Sequence, residues 1–342
     1  MPLVTDYTHV KEVYQEAAEL GVGLPVYCAE DRETLEAILA AAKEMGARIG
    51  RDDIPIIPAW TSRYPSRGQM TLLTACGDPI LGTRLMMSDL AAMTSGTSPY
   101  RKLRVLPHLD HAFPWIDGDV MEMFTDAFAS IMCDASEKPF DENVRLTAEF
   151  ADRVRGRVVV EGAVDEIFEA GGVGKNEPTT VEQARRFLRA TGVDIIVPNV
   201  GTEHRATADQ VRYRSDRARE ISAAVGRILC IHGTSSVMPD DLPRLPDDGF
   251  VKINIYTTLA VHGGQAVARQ VLDTIEDMFG PAQLRALVAD KLLGEAVLSR
   301  KPPAQPKLAM VANPPRRDAW FAAVRDRCLD FLSVFHYERY AR

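Results

Sequence analysis

The sequence predicts an α/β fold: a (β/α)8 TIM barrel with an N-terminal helix and a C-terminal helical extension. Three observations predict it. Eight short β-branched runs recur along the chain, helical patterns fill the gaps between them, and each run ends in polar or glycine-rich residues. Near-continuous apolar runs suit strands buried on both faces of a parallel sheet. Strand–helix alternation at this spacing means βαβ units with right-handed crossovers, and eight of them close into a barrel. A doubly wound open sheet is the competing arrangement. No G-x-G-x-x-G follows the first run, so nothing supports its dinucleotide-binding form.

The predicted strands are 24–29 (LPVYCA), 54–60 (IPIIPAW), 103–111 (LRVLPHLDH), 130–136 (SIMCDAS), 157–163 (RVVVEGA), 193–201 (VDIIVPNVG), 227–235 (RILCIHGTS) and 249–257 (GFVKINIYT). A helix is predicted over 8–20, before the first strand. The next, 31–45, places Leu35, Ile38, Leu39 and Ala42 on one face. Asp31 and Glu33 favour its N-terminus, and Gly46 marks its exit. Further helices are predicted at 141–154, 180–190 and 209–224, with Thr180 and Gln183 forming a capping box. A long helical stretch follows Thr257 to about Phe279. Residues 301–315 carry Pro302, Pro303, Pro306, Pro314 and Pro315 and read as an extended linker. Residues 318–340 read as a helix docked on the barrel or on a second subunit. The expected division is therefore a barrel over 1–300 and a linker with a terminal helix over 301–342.

Composition narrows the function. Lys plus Arg is 40 against 48 Asp plus Glu, a formal net charge of −8, with no basic block, which argues against nucleic-acid or membrane-surface binding. No run of 18 apolar residues is present, and Met1 to Tyr14 lacks an apolar signal region. Cys28, Cys76, Cys133, Cys230 and Cys328 are odd in number and form no C-x-x-C pair, so they read as reduced thiols of a cytoplasmic protein.

The chemistry gathers at strand ends. Four of the seven histidines, His108, His111, His204 and His232, fall at or near the carboxyl ends of predicted strands 3, 6 and 7, the face on which barrel active sites are built. In Pro107-His-Leu-Asp-His-Ala112, an imidazole beside a carboxylate suits a metal ligand next to an acid–base group. Along a continuing strand His108 and Asp110 share one face, and His111, where the strand should end, is placed to turn over the rim. Three imidazoles from different strands are the usual make-up of a catalytic zinc site. Gly233-Thr-Ser-Ser236 and Asn254-Ile-Tyr-Thr257, at the ends of strands 7 and 8, fall where barrels commonly bind phosphate.

The ordered set H-L-D-H, S-I-M-C-D-A-S, V-V-V-E-G, V-D-I-I-V-P-N-V-G-T-E-H, C-I-H-G-T-S and V-K-I-N-I-Y-T resembles the class II (zinc-dependent) ketose-bisphosphate aldolases, over about Pro25 to Leu259. These include fructose- and tagatose-bisphosphate aldolases. The resemblance implies Zn2+ on His111, His204 and His232, with Asp134 holding a second divalent or monovalent metal position. It implies Asp110 as the proton-transfer carboxylate and Glu161 as a fifth-strand glutamate of the catalytic set. Gly233, Thr234, Ser235, Asn254, Ile255, Tyr256 and Thr257 would bind the donor phosphate.

There are departures from the family's pattern. Arg205 replaces the glycine after the second zinc histidine, and its guanidinium suits a carboxylate or phosphate. Glu161-Gly-Ala-Val-Asp165 aligns only one glutamate, leaving Asp165 or Glu166 as substitutes for the other. The loop at 171–175 has no acid before Glu177, and Cys28 stands at an expected asparagine. The expected function is a zinc-dependent aldolase of carbohydrate metabolism, acting on a ketose phosphate or a related hydroxy-ketone or hydroxy-keto acid. A homodimer or homotetramer is expected. Two other readings are a Schiff-base aldolase using Lys252 and a non-catalytic aldolase-like subunit or binding protein.

Overall fold

The structure is a computed structural model that describes residues 3–65, 67–166, 177–203, 212–300 and 302–341. Its strands are β1 (Leu24–Cys28), β2 (Pro55–Thr61), β3 (Arg104–Val105), β4 (His108–Ala112), β5 (Ser130–Cys133), β6 (Val159–Ala163), β7 (Ile195–Val197), β8 (Leu229–Ile231) and β9 (Phe250–Ile255). All pair in parallel, in the order β1-β9-β8-β7-β6-β5-β4-β2, and β1 also pairs with β2, so eight strands close on themselves. Val26 of β1 aligns with Asn254 on one side and Ile57 on the other. This is the (β/α)8 barrel expected from the strand count.

The third predicted strand divides in two. Pro107 has no N–H to give a ladder. β3 before it pairs with β2 at Pro55, and β4 after it pairs with the same strand from Ala59 onward. Five predicted strands also end early, the first at Cys28 before Ala29. In the others Asp134, Asn199, His232 and Thr257 lie beyond the last paired residues. Gly201 and Gly233, at φ 85 and 65, turn the chain out of β7 and β8 in the left-handed region that glycine tolerates.

Helices cover the outside. Tyr7–Leu20 is capped by Asp6, which accepts from the His9 N–H, and closes at Gly21 in the left-handed conformation. The predicted exit of the next helix at Gly46 is corrected: Arg32–Ile49 runs through it and ends at Gly50. Gly46 is needed for close approach, because a Cβ there would lie 2.4 Å from the Arg51 carbonyl oxygen. The capping box is present on Val181–Thr191, where the Thr180 side chain accepts from the Gln183 N–H and Gln183 reaches back. Ser215–Val225 begins later than expected, with residues 204–211 outside the described set. The helix at Pro79–Met93, which the periodic pattern does not reveal, starts with Asp78 as cap and Pro79 in its first turn.

The proline-rich segment is partly helical, with one turn at Leu308–Val311. Pro314 and Pro315 occupy the first positions of the terminal helix, Pro314–Val334, where a missing N–H costs nothing. That helix packs on Arg32–Ile49 and on Thr257–Asp273, so close that a Cβ at Gly263 would meet the Trp320 ring at 2.7 Å. The Tyr27 hydroxyl donates to the Cys328 carbonyl at 2.7 Å, and Tyr337 donates to that of Pro55 at 2.9 Å. No helix among the described residues is long and apolar enough to cross a membrane.

Candidate active site

β4 brings three polar side chains to the barrel mouth. His108 and Asp110 point inward, as strand alternation requires, while Leu109 is buried on the outer side. His111 breaks the alternation. Its φ of 44 and a register shift against β5 between Leu109 and Ala112 turn its ring to the same side as Asp110. Left-handed backbone is costly at a non-glycine residue and persists only where surrounding contacts hold it. Here the contact is Asp134, whose Oδ2 lies 2.7 Å from Nδ1 of His111. The other oxygen of Asp134 accepts from the Ser136 N–H and hydroxyl at 3.1 and 2.6 Å.

His232 comes from the end of β8. Its Nε2 lies 3.2 Å from Oε1 of Glu161, and the other oxygen of Glu161 is 2.7 Å from the Lys252 ammonium. Glu161 and Lys252 are fully buried. Burial opposes the charge on Glu161, but Lys252 and the neighbouring histidines outweigh it and hold the carboxyl well below its usual range. Burial likewise disfavours the Lys252 ammonium, and Glu161 holds its pKa above the ordinary value. An ammonium held in an ion pair with a buried carboxylate has no lone pair to offer, which argues against the Schiff-base reading. Lys252 also donates to Nε2 of His108 at 3.1 Å, which leaves Nδ1 of His108 to donate to Ser130.

The two carboxylates fix the histidine tautomers. A carboxylate only accepts, so Nδ1 of His111 and Nε2 of His232 carry the protons. A neutral ring oriented this way keeps its lone pair on the opposite nitrogen, Nε2 for His111 and Nδ1 for His232. These face each other at 3.0 Å. Burial lowers the His232 pKa against the opposing pull of Glu161, favouring the neutral form. A cation placed between them would take a lone pair from each ring. Ligands of a tetrahedral zinc, with Zn–N of about 2.0–2.1 Å, stand roughly 3.3 Å apart. The Asp110 carboxylate completes a group whose donor atoms all lie within 4.8 Å. A second group, Glu161, Cys230 and His232, fits less well, because Lys252 neutralises Glu161 and burial pushes the Cys230 thiol up. The residues at the mouth therefore fit a bound divalent cation.

Asp110 is held at both oxygens. Oδ1 accepts from the Asn254 amide at 2.9 Å, and Oδ2 from the Arg67 guanidinium at 3.2 Å, with the Cys28 thiol at 3.5 Å. Burial opposes its charge, and His111, His108, His232 and Arg67 together override that and hold the carboxyl well below its usual range. Gly233, Thr234, Ser235, Asn254, Ile255, Tyr256 and Thr257 all line one cavity with Asp110 and His232. A Cβ at Gly233 would sit 2.7 Å from the Glu203 carbonyl oxygen, so the loop needs glycine there. The Thr234 hydroxyl donates to the Asn254 carbonyl at 2.7 Å, tying the β8 and β9 loops together. Thr257 opens a 17-residue helix, and Thr257 and Thr258 at its start line the same cavity.

Asp134 and Glu161 stand behind the histidines and are not in the cavity wall. Asp165 lies past the end of β6 and accepts from the Thr179 hydroxyl at 2.6 Å. His204, Arg205 and the loop at 171–175 lie outside the described residues. Tyr64 and Arg67, from the loop after β2, also line the cavity and were not expected from the sequence. Their one available signal is position, since every loop after a barrel strand opens on this face.

The chain matches the family described as class-II fructose-bisphosphate aldolase over residues 8–297. A fructose-bisphosphate aldolase of Staphylococcus epidermidis is 28% identical over 290 residues, 82% of this chain and 90% of that one. One from Giardia intestinalis is 37% identical over 146 residues, 39% of this chain and 43% of that one. Among solved structures, the fructose-bisphosphate aldolase of Campylobacter jejuni aligns with a TM-score of 0.73 at 17% identity, covering 97% of this chain and 95% of that one. The YdjI aldolase of Escherichia coli K12 aligns at 0.64 and 20% identity, covering 99% and 100%. The solved structures bear on the fold, and the family match spans the strands that carry every described site residue. The chain belongs to the class-II fructose-bisphosphate aldolase family.

Proposed function

We propose that this chain is a zinc-dependent aldolase that makes or cleaves a carbon–carbon bond in a ketose phosphate or a related hydroxy-ketone or hydroxy-keto acid. Aldol lyase chemistry is what its family carries out. The observation that carries the metal reading is the pair of imidazole nitrogens facing at 3.0 Å, each fixed as an acceptor by a carboxylate behind it. His111 and His232 would hold the ion, with His204 as the third ligand. When bound, the zinc ion supplies Lewis acidity to the substrate's neighbouring carbonyl and hydroxyl oxygens and so stabilises the enediolate.

The chain's own residues do the rest. Asp134 and Glu161 hold the two rings in one tautomer and one orientation, as carboxylates behind metal-ligating histidines do. Asp110 is the acid–base group. In cleavage its carboxylate takes the proton of the substrate hydroxyl, the carbon–carbon bond breaks, and the electron pair passes toward the carbonyl. In condensation the same proton returns to the new alkoxide. The Asn254 amide aims Asp110 by binding its other oxygen. The 233–235 loop and the start of the helix at Thr257 bind the donor's anionic end.

Metal analysis tests this directly. The purified protein is expected to carry about one zinc per chain, and chelation should abolish turnover that zinc restores. A protein that cleaves ketose phosphates at full rate after complete removal of divalent metal would overturn the reading.

A further inference from the structure

Arg67 touches Asp110 at the mouth of the barrel. It is 8% exposed, and it is the only lysine or arginine among the described residues lining the cavity. Its loop is pinned: the Arg67 N–H donates to the Tyr64 carbonyl at 3.1 Å, and its carbonyl accepts from the Thr61 hydroxyl and the Gln69 N–H. The guanidinium lies over two rings, 5.2 Å from the centroid of Tyr64 and 4.5 Å from that of Tyr256. A planar cation in contact with two aromatic rings is restricted in orientation.

The partners of the guanidinium are mismatched. A guanidinium edge suits two oxygens of one anion. Here Nη2 meets one oxygen of Asp110 at 3.2 Å, and Nη1 meets the Cys28 sulfur at 3.6 Å. Burial pushes the Cys28 thiol up to about 12, so it stays neutral and is a weak acceptor. An oxyanion entering the cavity offers Arg67 a better pair of acceptors than a thiol and a single shared carboxylate oxygen. It also meets the 233–235 amides that line the same cavity.

We propose that Arg67 is a specificity-determining residue that binds a phosphate or carboxylate group of the substrate, and that this engagement releases Oδ2 of Asp110. The freed oxygen then takes the substrate hydroxyl proton as the carbon–carbon bond breaks and returns it on condensation. Anion recognition and availability of the base are thereby coupled. The inference rests on the aldolase reading for its catalytic part, while the anion-binding part does not depend on metal.

Two measurements test it on the wild type, Arg67→Met and Arg67→Lys. The first is calorimetric binding of inorganic phosphate and of glycolate, with and without zinc. Wild type is expected to bind one of the two better, which distinguishes phosphate from carboxylate. Arg67→Met should weaken that anion at least tenfold in both metal states, and Arg67→Lys less. The second is turnover of donors with and without the anionic group. Arg67→Met should raise KM for the anionic donor at least tenfold and change KM for the neutral one little. Equal anion binding by all three proteins overturns the proposal. So does a fall in kcat that is the same for both donors with KM unmoved. Arg67→Lys, which keeps the charge, controls for folding. Loss of zinc dependence with Arg67-dependent anion binding intact would overturn the metal reading and leave this one standing.

Discussion

Lys252 and Glu161 form an ion pair of 2.7 Å inside the barrel, with both side chains fully buried. Around it, Glu161 orients His232, and Lys252 donates to His108 and to the Asn254 side chain at 3.1 Å each. The pair thus connects the floor of the barrel to both sides of the mouth.

Removing one partner leaves a buried charge uncompensated, at a cost of about 3–5 kcal/mol. Lys252→Met is expected to lose stability on that scale in urea unfolding. The double variant Lys252→Met/Glu161→Gln should recover part of it. Borohydride added with substrate should leave no adduct on Lys252 by mass spectrometry, and an adduct there would revive the Schiff-base route.

In the proposed reading, Asp134 and Glu161 would act on a bound metal through the histidines they hold. Asp134→Asn and Glu161→Gln are expected to weaken zinc about 10–100-fold. Activity should return at high zinc concentration. Zinc affinity measured by competition with a chelator decides this, and an unchanged affinity in both variants would remove the holding role.

Asp110→Asn keeps the shape and the Asn254 contact but removes the acceptor charge. A fall in kcat of roughly 10²–10⁴ is expected, with about one zinc per chain retained. Loss of zinc together with activity would instead make Asp110 a ligand, which its place in the same donor group allows to be tested.

The carboxylates also set an acid limit. Glu161, Asp110 and Asp134 all have folded pKa values below their ordinary ones, burial being overcome by nearby histidines, Arg67 or Lys252. The unfolded chain binds protons at these groups near pH 4, where the folded chain does not. Their contribution is therefore present above about pH 4 and lost as pH falls through the folded values. Metal-free protein should lose stability steeply below about pH 4, and Glu161→Gln should flatten that slope.

Much of the site was legible in local pattern. His108, Asp110 and His111 share one five-residue strand, and Gly233–Ser235 and Asn254–Thr257 mark the last two strand ends, so each could be read within its own segment. The pairs that give those residues their roles could not. His111 meets Asp134 across 23 positions and His232 meets Glu161 across 71, and only barrel register brings them together. Reading Asp134 as a metal position and Glu161 as catalytic followed from resemblance. The structure places both behind the histidines. Arg67 left no periodic trace in T-S-R-Y-P-S-R, because a loop side chain obeys no strand or helix period.

The sequence by itself determined the barrel, since eight apolar runs separated by amphipathic helices have few other ways to bury both sheet faces. It also determined which strand ends carry the imidazoles and the glycine- and hydroxyl-rich loops. Only the tertiary structure decided which nitrogen of each histidine faces the mouth, which carboxylates sit behind them, and that the Arg67 guanidinium shares Asp110 with Asn254. The physical reason is that tautomers, ion pairs and ring contacts depend on contacts between strands far apart in the chain. Those contacts are set by closure of the barrel and by one left-handed residue, His111.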